Sequence, residues 1–407
     1  MIKYVHNIYG SFELPKLELF LVLIFSLMFA GFFFLPTSSH RLVMYIGMPF
    51  MLFFLYREPV WSLIGQAGVF GRLIALFILM YAFSALWSQD VDVSRVISKF
   101  KLLIFVPVIF CTFYFLIQKS KAIWPFILSC FVISAFVTGA LLFIQNMHQV
   151  LADYDYFFRL RGFGKADNSV QCALLYGLAL IVLVFPPQGL SKTLKHPCTR
   201  IIGVVLFFSL MMMTGSRGPI LALFVSVFSI LLLCMSFRSI LSIICISLSC
   251  VSFFLLLPSA ELVHVRSDAG RFQIWNKVVE EIKEKPILGH GVAANNDRKI
   301  FNEQAYEWEV AKHEHNVYLS TIYHLGFIGF ALFLSIIVLA GMTSFKMIKQ
   351  SDDFVSVGFA MMGLVLGFVD FGGFFNNLSS TWLVFWFPLA YVLSRSKYYH
   401  SLKPLPK

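Results

Sequence analysis

The sequence predicts an all-α, polytopic membrane helix bundle of about twelve transmembrane helices, with one long extramembrane loop carrying an amphipathic helix. Three observations lead there: the composition, a recurrence of long apolar runs, and a single extended polar stretch. Of 407 residues, 59% are hydrophobic and 13% charged, with a mean hydropathy of +0.81. A soluble domain carries about 25% charged residues. The 47 phenylalanines suit lipid-facing and bundle-filling surfaces better than a compact aqueous core.

Spans need about 20 mostly apolar residues, or fewer where flanking groups snorkel. Such runs occupy 19–35, 42–56, 69–87, 101–118, 123–145, 169–186, 200–214, 218–235, 239–257, 317–341, 354–371 and 377–394. The second and seventh are short. Between the seventh and eighth, "TGSRGP" breaks the apolar pattern, with Gly215, Gly218 and Pro219 ending one helix and starting the next. No short apolar segment is followed by a small-residue cleavage site, so the first span is expected to stay as an anchor.

An even number of spans puts both termini on one side. With the termini cytoplasmic, Lys and Arg divide sixteen to sixteen between the two sides, but eight of the far-side ones sit in the loop 258–316. Setting that long loop aside favours cytoplasmic termini under the positive-inside rule. The organisation expected is then 1–257 as transmembrane helices 1–9, 258–316 as a far-side loop, and 317–407 as helices 10–12 with a cytoplasmic tail. The net charge of +11 is partly topological. No compact basic domain exists to bind nucleic acid.

Loops as long as 258–316 are usually functional or disordered. Here Phe272, Trp275, Val278, Val279 and Ile282 recur at helical spacing, with Glu280, Glu281, Lys283 and Glu284 between them. "KPILGHG" then ends the helix through Pro286 and Gly289. The pattern predicts an amphipathic helix on the mouth of the bundle. Six cysteines (Cys111, Cys130, Cys172, Cys234, Cys245, Cys250) fall in apolar runs and Cys198 in a basic loop. No pair has metal-site spacing, and a disulfide framework is not expected.

The chemistry gathers on the far side. Arg217 stands in the turn between spans seven and eight, Arg271 opens the amphipathic helix, Arg159, Arg161 and Lys165 follow span five, and Lys101 begins span four. Guanidinium forks bind phosphate oxygens, so these loops offer positive charge to one anionic ligand; a lipid-linked diphosphate suits a mouth at the bilayer surface. The plainer alternative for each is snorkelling or solvation. His315, in "HEHNVYLSTIYHLGFIG" (313–329), carries an imidazole that can take a proton from a hydroxyl. Asn316 can cap a helix starting at Val317, while His313 and Glu314 tune His315 or lie exposed. A metal site is the competing reading, from His290, His313 and His315 or from the pairs Asp90/Asp92 and Asp153/Asp155. Its motifs are short and common by chance, so no metal ligand is assigned.

At these residues the sequence resembles the O-antigen ligase family. "HNVYLSTIYHLGFIG" is His315, Asn316, nine residues, Gly326, two residues and Gly329, like the family's histidine motif; "RGPIL" from Arg217 is like its arginine motif. "GRFQIWNKVVEEIKEKPILGHG" (270–291) and "LWSQD" (86–90) are similar to loops of the wider ligase and polymerase superfamily. The resemblance implies a multi-pass protein of the Gram-negative inner membrane with a periplasmic active face. It implies transfer of a glycan from undecaprenyl diphosphate to a sugar hydroxyl of the lipid A core, with no metal, nucleotide or other cofactor. The partners would be that donor, the lipid A-core acceptor and membrane lipids. By position, Arg217 and Arg271 would hold the diphosphate and His315 would activate the acceptor or steady the leaving group, with Arg161, Lys101, Asn316 and His313 binding substrate. The alternatives are an O-antigen polymerase, a protein O-oligosaccharyltransferase and, in a different class, a transporter of a lipid-linked anion. Against the last, no internal repeat is visible and the charge sits at one face. Gly363 and Gly367 form a GxxxG best read as helix packing.

Overall fold

The computed structural model describes residues 14–60, 68–88, 93–152, 159–234, 271–294, 297–302, 307–311, 313–351, 354–368, 370–371, 373 and 378–400. In chain order the first half comprises α1 (Lys16–Ala30), α2 (Thr37–Arg57), α3 (Gly68–Phe83), α4 (Val93–Lys119), α5 (Ile123–Ala152), α6 (Ser169–Val184), the single turn α7 (Lys192–Lys195), α8 (Pro197–Met213) and α9 (Arg217–Cys234). Then follow α10 (Arg271–Glu284), strands β1 (Arg298–Asn302) and β2 (Glu307–Ala311), α11 (Val317–Ser351), α12 (Val355–Gly367) and α13 (Phe387–His400), the last preceded by a π turn, Trp382–Trp386. Eleven of the twelve apolar runs coincide with one of these helices; the run 239–257 lies outside the described residues. Among the described residues, five segments are long and apolar enough to cross a membrane: Thr37–Arg57, Gly68–Trp87, Val96–Lys119, Ile123–Asn146 and Val317–Ile348. The protein is a helical, multi-pass membrane protein.

The core explains the phenylalanine content. Phe29 of α1 packs on Trp124 of α5 and on Phe387 of α13, with ring centroids 5.8 and 4.7 Å apart. Phe113 of α4 joins the same cluster, 4.9 Å from Phe387. Between helices in lipid, where no hydrophobic gradient favours association, packing of this kind and close approach at small residues hold the bundle. A Cβ on Gly363 would stand 2.7 Å from Val384, in keeping with a packing role for the GxxxG. At the end of the bundle opposite His315, Arg200 donates to the carbonyls of Leu183 and Val184 at 2.8 and 3.0 Å, closing the C-terminus of α6.

Helix registers show which ends lie together. Gly177 of α6 faces Met362 of α12 and Met211 of α8, whereas Ile181 and Ile230 both face Gly358. Gly367 faces Val317 and Tyr318. The starts of α6, α9 and α11 therefore share one end of the bundle with the ends of α8 and α12. From Gly358, Arg217 is about 20 Å along α9 and Asp370 about 18 Å beyond, at the rise of a helix, so the two lie at the same level.

Three expectations are corrected. The loop is not all-α: β1 and β2 pair antiparallel, Arg298 opposite Ala311 and Asn302 opposite Glu307. Outside the membrane, backbone groups of a short extended segment are most simply satisfied by pairing back on themselves. The buried face of α10 is Ile274, Val278 and Ile282, with Trp275 partly buried; Phe272 and Val279 are exposed, 59% and 41%. The i, i+4, i+8 stripe rotates the packed face by one position from the one read off the sequence. Finally, α11 runs to Ser351 but is broken at Gly326, with φ 64° and ψ −172°.

That break is compensated from outside the helix. The N–H groups of Phe327 and Ile328 donate to the carbonyls of Pro286 and Ile287, at 2.8 and 3.4 Å, and those of His290 and Gly291 donate to Tyr323 and His324, at 2.7 and 2.9 Å. Segment 286–291 thus supplies partners to four backbone groups beside the opened turn. A Cβ on Gly326 would collide with the Ile287 carbonyl, and its backbone lies where only glycine is at ease. Gly326→Ala is accordingly expected to cost at least ~3 kcal/mol and to undock segment 286–291. Thermal unfolding in detergent together with faster proteolytic cleavage at 286–291 would register it; wild-type values for both would contradict the reading.

Candidate active site at one end of the bundle

Segment 286–294 is held by residues 84–88, by the end of α10 and by the break in α11. The Ser84 and Ser88 hydroxyls accept from the N–H groups of Val292 and Ala293, at 3.2 and 3.1 Å, and Trp87 Nε1 donates to the Leu288 carbonyl. Gly291, at φ +84°, lies directly against Ser84 and Ser88, which leaves no room for a side chain. The part of "LWSQD" from 86 to 88 is thereby a latch on "ILGHG"; Gln89 and Asp90 lie outside the described residues.

Beneath the loop is a buried ionic network. Arg298, 3% exposed, donates from Nη1 to Glu314 Oε1 at 3.0 Å and from Nε to Glu281 Oε2 at 2.7 Å; Glu314 is wholly buried. The guanidinium lies 4.4 Å over the Tyr323 ring, on which His290 stacks at 4.7 Å. Trp275 Nε1 donates to the Glu314 carbonyl at 3.0 Å. Burial by itself would push the Glu314 carboxyl up, but the charges of His324 and Arg298 outweigh it and hold it below its ordinary range. Burial likewise opposes the charge on Arg298, and Glu314 and Glu281 restore it, raising its pKa. The network joins α10, β1 and the segment entering α11.

That segment presents His315. Its φ is 49°, the one positive value among the described non-glycine residues, a conformation that is costly and typical of functional sites. Immediately after it, the Asn316 side chain accepts from the N–H groups of Tyr318 and Leu319, at 2.9 and 3.0 Å, and caps α11 as expected. His315 Nδ1 is buried without a hydrogen-bond partner. It stands 3.6 Å from Asp370 Oδ1, to which Arg271 Nη2 also donates at 3.3 Å. Asp370, just past the end of α12, therefore brings His315 and Arg271 together. Sequence reasoning missed it. The available signal was a lone acid, Asp370, in the apolar stretch 354–375, which is expensive without a role or a partner.

The other expected residues divide. His313 is exposed, its ring 4.5 Å from that of His315. Arg217 is the first residue of α9 and exposed, at the same end of the bundle as Asp370. Arg161 is exposed in the loop 159–168. In that loop Arg159 donates to the Thr214 carbonyl and the Ser216 hydroxyl, at 3.3 and 3.1 Å, and so braces the turn before Arg217. Lys101 is exposed and lies two turns inside α4, which begins at Val93, and not at its start. Its ammonium contacts the Tyr45 hydroxyl at 3.0 Å and lies over the Tyr45 and Phe105 rings.

Among the described residues no three His, Cys, Asp or Glu side chains gather as a ligand set. His290 is turned away from His313 and His315 in its ring contacts, with Nε2 at 2.8 Å from the Glu281 carbonyl. Asp90, Asp92, Asp153 and Asp155 lie outside the described residues. Cys111, Cys130, Cys172 and Cys198 are free thiols.

Residues 202–334, from within α8 to the first half of α11, match the family model described as O-Antigen ligase. That region is similar to the O-antigen ligase family. It holds Arg217, Arg271, Arg298, Glu314, His315 and the Gly326 break, while Asp370, Arg161 and Lys101 lie outside it. An O-antigen ligase of Pseudomonas aeruginosa is 25% identical over 232 residues, 57% of this chain and 56% of its own length. Putative polysaccharide ligases of Rickettsia felis and Rickettsia typhi are 33% and 29% identical over 99 and 126 residues, covering 23% and 29% of each chain. The chain thus spans about half the length of the first of these relatives, and less of the others. Within the matched region, His315 is the strained residue between a buried ion pair and a helix cap.

Proposed function

We propose that this protein is a glycosyltransferase of the ligase type, moving a glycan from an undecaprenyl-diphosphate carrier to a sugar hydroxyl of lipid A-core. The observation that carries the reading is the convergence of His315 and Arg271 on Asp370 at the end of the bundle where α9 starts with Arg217. In this reading the chain crosses the membrane twelve times with that end periplasmic, as the distribution of Lys and Arg favours; residues 258–316 form the periplasmic loop.

The chemistry follows from the groups present. The acceptor oxygen forms a bond to the anomeric carbon while the bond from that carbon to the diphosphate oxygen breaks. The hydroxyl proton passes to His315, whose Nδ1 faces Asp370 and leaves Nε2 as the base. Diphosphate is a good leaving group, so the protein's main tasks are to stabilise its developing charge and to orient the acceptor. Arg271 and Arg217 supply the positive charge. Before substrate arrives, Asp370 is shared by Arg271 and His315. A diphosphate drawing Arg271 to itself leaves the carboxylate to His315, strengthening the base when the donor is in place.

The test is transfer by the purified protein from a defined undecaprenyl-diphosphate-glycan to purified lipid A-core, with chelator present. Glycosylated lipid A is expected, and Arg271→Gln should lower its formation at least ~100-fold. Lengthened carrier-linked glycan without a lipid A product would make the protein a polymerase, and glycan on a pilin-like acceptor a protein glycosyltransferase. Donor movement across vesicles with no new glycosidic bond would make it a transporter. Activity abolished by chelator and restored by a divalent ion would bring a metal into the mechanism.

A further inference from the structure

A second cationic locus lies at the start of α2. The connection 31–36 turns α1 into α2, and the loop 159–168 folds back onto it: Gly164, at φ +61°, packs against the backbone of Phe34 and Leu35 and leaves no space for a Cβ. This contact carries Lys165 to Phe32, with Nζ 5.2 Å from the ring centroid. The His40 ring meets the same phenylalanine edge-on at 4.6 Å. His40 is fully buried; Nε2 is 2.7 Å from the Met28 carbonyl and Nδ1 has no hydrogen-bond partner. Next to it, Arg41 Nε is buried and also has none.

The helix itself adds to the positive charge. Its N-cap is Pro36, which makes no side-chain capping bond, and no acid stands in the first turn. Thr37, Ser38 and Ser39 are exposed there. Uncapped N–H groups at a helix start favour an anion. Among the described residues neither Arg41 nor Lys165 has a carboxylate partner in an ion pair. Burial, and then the charge of Arg41, pulls the Lys165 ammonium down to about 8. Cations held together out of water without a counter-charge are unfavourable, and an anion between them removes the penalty.

We propose that Arg41, Lys165 and the first turn of α2 form a binding site for the phosphate group of a lipid, separate from the Arg271–Asp370–His315 cluster. The ligand class is a phosphomonoester or phosphodiester at the bilayer surface, borne by an anionic phospholipid or by a phosphorylated glycolipid. The site does not depend on the transferase reading, because its test is binding and not transfer.

Full-length protein in detergent is to be compared by native mass spectrometry with phosphatidylglycerol and with phosphatidylcholine of the same acyl chains. Preferential retention of phosphatidylglycerol is expected, falling about tenfold in Arg41→Gln/Lys165→Gln and unchanged in Arg271→Gln. Should the double variant not fold, the wild type still decides. Acylation of Lys165 by an amine reagent at pH 8 should be slowed by the ligand. Protection by phosphatidylglycerol identifies a phospholipid headgroup, and protection by phosphorylated lipid A-core alone identifies a glycolipid. Protection by inorganic phosphate as strong as by either lipid, no protection by any of them, or equal retention of phosphatidylglycerol by a folded double variant would overturn the proposal.

Discussion

His315→Asn is expected to lower glycan transfer at least ~100-fold, in the range lost with a general base, while leaving the protein as abundant and as thermally stable as wild type. The choice of asparagine matters. His315 has a φ of 49°, and asparagine is among the few residues that enter this region readily, whereas alanine is strained there. Asparagine therefore keeps the backbone and removes only the imidazole. His315→Ala should show the same loss of transfer with some loss of stability besides. Asp370→Asn tests the same chemistry from the other side. It leaves His315 in place but takes the charge from its partner at 3.6 Å, so the rate should fall and its pH dependence should move. Transfer by His315→Asn within a few-fold of wild type would remove the imidazole from the mechanism.

The second large effect concerns residues that need never touch substrate. Arg298→Met is expected to destabilise the protein by ~3–5 kcal/mol, the cost of leaving one member of a buried ion pair alone. Glu314 would be stranded with no exposure to water, left with Ser320 and with His324, 3.9 Å from its carboxylate. Because Glu314 also precedes His315 and fixes Trp275 through its carbonyl, the loss should reach activity as well, and kcat should fall more than KM rises. Arg298→Lys, which keeps the charge, should restore part of both. The pair should also resist mild acid. A carboxyl held below its ordinary value of 4.5 contributes stability that is complete above that value and lost only as pH falls through the lowered one. Wild-type melting should thus show no loss from this pair between about pH 7 and 5. Equal melting temperatures for wild type and Arg298→Met would refute the role given to the network.

Much of this protein was legible before any coordinates. Apolar runs need no tertiary context to declare helices in a bilayer, since the bilayer excludes unpaired backbone groups and charges alike. The cap on α11 was equally readable, because Asn316 acts on N–H groups two and three residues away. So was the turn after α8, where Gly215 has φ +60°. Local signals of this range survive whatever the rest of the chain does.

Other features depended on what packs against what. Periodicity marked α10 as amphipathic, yet Ile274 rather than Phe272 or Val279 lies inward, because docking against α11 decides the angle of rotation. Lys101, expected at the start of a helix, lies two turns inside α4 with its ammonium over Tyr45 and Phe105. The glycines of the histidine motif resembled markers of a family; in the fold, Gly326 opens α11 so that segment 286–291 can enter.

By itself the sequence determined the membrane class, the helices, the caps and the types of residue available for chemistry, because each follows from the solvent or from neighbours within a turn or two. Only the tertiary structure decided that Asp370 joins Arg271 to His315, and that Arg298 secures the loop presenting that histidine. Charges from distant segments take partners according to which helix ends share a face of the bundle, and that arrangement is set by packing in the core.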